Sequence, residues 1–170
     1  MVIFRKKIAG LSASTLERFA LRARRAVRLR HPVNVLVTSN QELRSLNRRF
    51  RGKDQATDVL SFPAPQVASH RAKQAAGDIA ISADIARENA RRLGHTAAEE
   101  IKILLLHAVL HLAGFDHERD QGEMALEEMR LRRQLQLEVG LIERLKSSDG
   151  NAVNRQGRRN RRSAGERNTP

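Results

Sequence analysis

The sequence predicts an α+β domain of mixed α/β character, built on a single small mixed sheet packed with helices. Two observations carry this. Segments of strand-like and helix-like apolar period succeed one another as strand, helix, strand, helix, two strands and three helices, an order that fits one small sheet and its covering helices. Several helical segments also begin with Ser or Thr followed three residues later by Glu, the pattern in which side chains satisfy the free amides of a first turn. No internal repeat is visible, and one domain is expected over residues 1–145.

VIFRKKI alternates well enough to form a first strand. Residues 15 to 30, TLERFALRARRAVRLR, place Leu16, Phe19, Ala20, Ala23 and Val27 at helical spacing. Ser14 and Glu17 read as the capping box of that helix, and Arg18, Arg22, Arg25 and Arg28 as its solvated face. VNVLVTS is a strand by its β-branched content, and NQELRSLNRRF a helix started by Ser39 with Glu42 three positions on. The polar segment RGKDQATD leads into VLSFP and, past a loop rich in Ala, Pro and Gln, into GDIAIS, both read as buried strands. Ser82 caps a helix through Leu93 that Gly94 stops; Thr96 and Glu99 box the start of the next, which runs to Gly114. Asp120 and Glu123 start a last amphipathic helix, with Leu126, Met129, Leu135 and Leu137 among its apolar residues. Beyond about Lys146 the apolar period disappears, and residues 146–170 read as a disordered basic tail.

A chain of 170 residues with 40% apolar content can bury one core of ordinary size. Its net charge of +13 favours a polyanionic partner. No apolar run approaches the ~18 residues of a spanning helix, and the apolar block at the start is too short for a signal peptide. A cytoplasmic protein with no membrane partner is therefore expected. The absence of cysteine excludes a disulfide framework and a thiolate zinc cage, leaving imidazole and oxygen as metal ligands. With no Trp or Tyr and five Phe, the chain lacks the usual material for an aromatic platform, so nucleic-acid binding is expected to lean on phosphate contacts.

The sharpest local signal is HAVLHLAGFDH, residues 107 to 117. His107 and His111 are four apart, so on a helix their imidazoles project from one face within reach of one ion. Gly114 can adopt the left-handed conformation that ends a helix and swings His117 back toward the same ion. Three imidazoles leave a fourth tetrahedral position for water, the arrangement of a catalytic zinc. A zinc site on a helix-turn is thus part of the expected fold. Zinc peptidases with this spacing require Glu directly after the first His, where this chain has Ala108, so peptide hydrolysis by that route is disfavoured.

HAVLHLAGFDH, FRGKDQATDVLSFP (50 to 63) and GDIAIS (77 to 82), in this order, resemble the YbeY-type bacterial endoribonucleases, a zinc-dependent family linked to ribosomal RNA maturation and ribosome quality control. The resemblance covers roughly residues 30 to 140. It implies one Zn²⁺ held by His107, His111 and His117, a cleft near RGKD, and a functional arginine at Arg51. It also implies single-stranded RNA as substrate, with the 3′ end of the small-subunit ribosomal RNA as the processed site. The family usually has glycine where Ala108 stands and often tyrosine where Phe115 stands.

Physical chemistry agrees on Arg51, because a guanidinium stays charged and can hold phosphate through two parallel donors as charge grows in the transition state. Lys53 reads as a point-charge substrate contact. Asp54 and Asp58 read as turn formers. Asp116 reads as an outer acceptor for a ligand imidazole. The function expected is a zinc-dependent, single-strand-specific endoribonuclease acting on ribosomal RNA or the ribosome, with ribosomal proteins as possible partners and no DNA. The alternatives are an RNA- or ribosome-associated binding protein with structural zinc and, less favoured, a metallopeptidase.

Overall fold

The computed structural model describes residues 1–65, 75–117 and 119–137. Its elements follow the expected order: β1 (Val2–Phe4), α1 (Ala13–Ala26), β2 (Val33–Thr38), α2 (Asn40–Arg51), β3 (Val59–Pro63), β4 (Gly77–Ser82), α3 (Ala83–Leu93), α4 (Ala97–Leu112) and α5 (Glu123–Gln134). The strands form one sheet in the order β1-β2-β4-β3. β1 and β2 pair in parallel, as do β2 and β4, whereas β3 runs antiparallel to β4 at the edge. The expected α+β class with one small mixed sheet is therefore the class found. The proposed tail, residues 146–170, lies outside the described residues. Among the described residues no helix is long and apolar enough to cross a membrane.

Strand alternation divides the core. Val33, Val35 and Val37 of β2 with Ile79 and Ile81 of β4 face the main cluster, where Leu16, Phe19 and Ala23 of α1 and Ile101, Leu105 and Leu106 of α4 meet them. Ala80 and Leu60 point the other way, onto Leu43 of α2, with Leu46 and Phe62 at the margin. α2 covers only part of this second face. Beside it lies an apolar groove of about 720 Å³, lined by residues that include Ile3, Phe50, Phe62 and Pro63.

α4 is the central helix. Nine of its sixteen residues are buried, so it is apolar around most of its circumference, as a core helix must be. Each large aliphatic side chain there contributes roughly 1.5–3 kcal/mol by leaving water. Its start is the predicted capping box: Thr96 Oγ1 accepts from the Glu99 amide at 3.2 Å, and Glu99 Oε2 accepts from the Thr96 amide at 2.8 Å. The buried Glu100 carboxylate is met by Asn89 Nδ2 at 3.1 Å and His95 Nε2 at 2.6 Å, which ties α3 to α4.

Several boundaries differ from the sequence-based expectation, each for a local reason. α1 is capped by Ser12, whose hydroxyl accepts from the Thr15 amide, so Ser14 lies inside the helix. That helix stops at Ala26, short of Arg30: Arg28 turns left-handed (φ +59°) and the Leu29 amide reaches back to the Arg24 carbonyl at 2.8 Å. This closure usually takes glycine, so an arginine conceals it. Ser39 caps α2 as expected, but the Glu42 side chain bonds Thr38 and Arg5 and leaves the box half made. α5 begins after Gly122, and Asp120 reaches the Gly122 and Met124 amides at 2.8 Å each. Its buried residues are Met124 and Leu131; Leu126 and Met129 are exposed, and Leu135 and Leu137 are buried just past its end.

Candidate active site

The site is assembled where α4 ends. Gly114 is left-handed (φ +97°), and the Phe115 amide bonds back to the Leu110 carbonyl at 3.1 Å. This reversal folds the chain over the last turn of α4. It carries the Phe115 carbonyl to within 3.0 Å of His111 Nδ1 and brings His117 beside the two helical histidines. Ring centroids lie 4.8 Å apart for His107 and His111, 5.4 Å for His107 and His117, and 5.1 Å for His111 and His117. One potential ligand atom from each ring falls within 4.8 Å of the others, so the three predicted histidines are brought together.

The donor chemistry fits a cation. His107 Nδ1 lies 2.9 Å from Glu128 Oε2, and His111 Nδ1 faces a backbone carbonyl. Both partners only accept, so each neutral ring carries its proton on Nδ1. The Nε2 lone pairs are then directed at one another across 3.1 Å, an arrangement that a shared cation relieves. Protonating a ring would also relieve it, but burial of His111, and then the charges of His107 and His117, push its pKa below the ordinary histidine value. The Phe115 carbonyl and Asp116 oppose this shift without reversing it.

Glu128 was not singled out from the sequence. It stands on α5, 21 positions from His107, and nothing local marks it apart from its i,i+4 relation to Arg132. Arg132 donates Nε–H and Nη2–H to Glu128 Oε1 at 3.0 and 2.5 Å, leaving Oε2 for the imidazole. Burial pushes the carboxyl pKa up, but the His107 hydrogen bond and the Arg132 charge outweigh it, so Glu128 is held below the ordinary glutamate range.

A cleft of about 560 Å³ opens beside the histidines, walled by α4 and its turn on one side and by β3 and Arg51 on the other. The C-terminus of α2 delivers Arg51, because Gly52 is left-handed (φ +70°) and stops the helix there. Arg51 Nη2 donates to the Ser61 carbonyl of β3 at 3.2 Å, which holds the guanidinium on the cleft wall. Asp58 fixes the opposite approach to β3: its Oδ1 accepts from the Val59 amide at 2.8 Å, and its carbonyl accepts from Ser82. Asp116 lines the cleft, with Oδ2 3.5 Å from Arg119 Nε. Lys53 is exposed and lies outside the cleft wall. Asp54 is held by Arg44 through hydrogen bonds of 2.8 and 3.0 Å. Ala108, the residue after His107, is buried, with an edge on the cleft.

The family model described as Endoribonuclease YbeY matches residues 4–138. The chain belongs to the YbeY endoribonuclease family. A protein named Endoribonuclease YbeY from Koribacter versatilis is 58% identical over 144 residues, covering 85% of this chain and 91% of that one. Its namesake from Solibacter usitatus is 50% identical over 146 residues, covering 86% and 95%. The solution structure of a Thermotoga maritima protein superposes with a TM-score of 0.53 at 30% identity, covering 79% of this chain and 89% of that one. The YbeY match takes in β2 to α5, and with them both walls of the cleft and Glu128.

Proposed function

We propose that this protein is a metal-dependent, single-strand-specific endoribonuclease that processes ribosomal RNA at the 3′ end of the small subunit and acts in ribosome quality control. What supports the reading is one juxtaposition in a chain of the YbeY family: three converging histidines and an arginine line the same open cleft.

In this reading His107, His111 and His117 hold one divalent ion, with zinc favoured; imidazole also suits nickel and copper. A divalent ion there supplies Lewis acidity toward a phosphodiester. The protein's own part is positional and electrostatic. Glu128 and the Phe115 carbonyl keep the Nδ1 protons in place, so the Nε2 lone pairs stay aimed inward. Arg51 receives the scissile phosphate and stabilises charge as it grows on the phosphoryl oxygens. The openness of the cleft suits an unpaired strand. Asp116 is an outer hydrogen-bonding group beside His117, and Lys53 a peripheral phosphate contact. Residues 1–145 form the catalytic unit and residues 146–170 a basic arm that adds phosphate contacts. The protein works in the cytoplasm on the ribosome, where ribosomal proteins are further contacts.

The test compares Arg51→Ala with His111→Ala for metal content, melting temperature and cleavage of unstructured and duplex RNA. Arg51→Ala should keep its metal and fold while losing about 10²–10³ in the chemical step, the scale of one transition-state donor. His111→Ala should lose metal, cleavage and part of its stability together. An Arg51→Ala protein that cleaves single-stranded RNA at the parental rate would remove this arginine from the mechanism. Metal-free protein that still cleaves would overturn the reading as a whole.

A further inference from the structure

Phe50 is 58% exposed at the end of α2, immediately before Arg51. A single exposed apolar side chain needs no explanation, but this one is not isolated. Its ring packs against Phe62 of β3 at 5.2 Å between centroids, tilted by 59°. Ile3 and Met1, also exposed, line the same groove on the sheet face that α2 leaves open. Two of the five phenylalanines thus form an aromatic pair, one ring exposed and the other partly buried, that composition alone gave no reason to expect.

The groove and the cleft lie on the two faces of edge strand β3. Val59 and Ser61 belong to the cleft, Phe62 to the groove, and Pro63 to both. Arg51 starts beside Phe50 and carries its guanidinium to the Ser61 carbonyl on the cleft side. A strand whose phosphate meets Arg51 therefore has Phe50 within reach of the adjoining nucleotide. Charge favours the same occupant: Arg48, Arg49 and Arg51 crowd the last turn of α2, and Arg49 Cζ stands 5.3 Å from the Phe50 ring centre. Directly opposite Phe62 across the β3–β4 pair, the Asp78 carboxylate accepts from Asn34 at 2.9 Å, which disfavours phosphate over the sheet and leaves the backbone to the arginine side.

We propose that the Phe50–Phe62 pair is a stacking platform for an unpaired nucleobase of the RNA strand, next to the phosphate that Arg51 holds. Phe62, partly buried, sets the ring of Phe50 from within; the outer surface of Phe50 takes the base, and Arg49 joins the stack as guanidinium planes do with bases. Stacking needs no particular base, so the platform favours single strands over duplexes without reading sequence. The proposal rests on RNA being the substrate and adds where the strand runs.

The experiment measures binding of a short 2′-O-methyl phosphorothioate RNA, which resists cleavage, and of an abasic strand of equal length. The proteins are the metal-loaded native chain, Phe50→Ala and Phe50→Tyr, with melting temperatures to verify folding. Phe50→Ala should weaken binding of the base-bearing strand by about 5- to 150-fold, the range for one lost base–aromatic stack. It should leave the abasic strand and the salt dependence unchanged, and Phe50→Tyr should restore binding. RNA cleavage by Phe50→Ala should show a raised KM with kcat less affected. Equal binding of the base-bearing strand by native and Phe50→Ala protein overturns the platform, and continued cleavage in that case leaves the nuclease reading intact. Equal binding of the two strands by the native protein also overturns it. A native protein that stacks RNA but never cleaves it keeps the platform and overturns the nuclease reading. A concentration-dependent dimer lost in Phe50→Ala, with RNA binding unchanged, gives the groove to a second copy of this chain and refutes the proposal.

Discussion

Glu128→Gln is the substitution that most directly tests how the histidine cluster is prepared for a cation. The native carboxylate is fixed from both sides: Arg132 occupies Oε1, and Oε2 receives His107 Nδ1 at 2.9 Å. Glutamine keeps the volume and one accepting oxygen, so the hydrogen bond to His107 can persist while its charge assistance is lost. A charge-assisted hydrogen bond contributes roughly 1.5–3 kcal/mol against about 1 for a neutral one. The difference predicts about a tenfold loss of metal affinity, at the lower end of the ~10–100-fold typical of outer partners of ligand histidines. Glu128→Ala also removes the acceptor itself, so the loss of affinity should approach about 100-fold. Competition with a chromophoric chelator reads the affinity, and the melting temperature of metal-free protein separates it from general destabilisation. Native affinity in both variants would show that His107 needs no outer acceptor and refute the reasoning.

Three further predictions follow from the same geometry. Because His111 has a folded-state pKa below its unfolded one, the metal-free fold binds fewer protons than the unfolded chain between those values; its melting temperature should fall as pH drops below about 6.5, and a rise on mild acidification would contradict this. A Cβ on Gly77 would sit 2.4 Å from the Phe62 carbonyl oxygen and 2.8 Å from Leu112 Cδ2, so Gly77→Ala should destabilise by about 1–3 kcal/mol and weaken metal retention as the end of α4 shifts; unchanged denaturant midpoint and metal content would count against it. Deleting residues 146–170 should leave melting unchanged and lower the salt slope of RNA binding by roughly 0.7 per lost phosphate contact; an unchanged slope would remove the arm from RNA binding.

The parts of the fold legible in the sequence were those fixed by local chemistry. Ser39, Ser82, Thr96, Gly94 and Gly114 each sit where a helix must start or stop, and each does so. The ends of α1 and α5 were not legible, because Arg28 and Gln136 take left-handed turns that composition assigns to glycine. The histidine cluster could be read because its spacing lies within one helix and its following turn. Glu128 and the Phe50–Phe62 contact join residues 21 and 12 positions apart on different elements. Such pairings depend on how α5 crosses α4 and how α2 lies on the sheet, and a one-dimensional period carries no information about either. The five phenylalanines were too few to signal a platform; placement, not number, made two of them conspicuous.

The two histidines of α4 and the carboxylate that orients one of them belong to elements of unequal depth. α4 runs through the core, whereas α5 buries only Met124 and Leu131 and exposes Leu126 and Met129. Local opening follows depth of burial, so the amides of α4 should be among the last to exchange with solvent and those of α5 should exchange well before them. The ion would then leave through excursions of α5 that carry Glu128 away, while the imidazoles of α4 stay in place for its return. The lifetime of a bound ion would thereby follow a surface helix, and the geometry to which it returns would be kept by the interior.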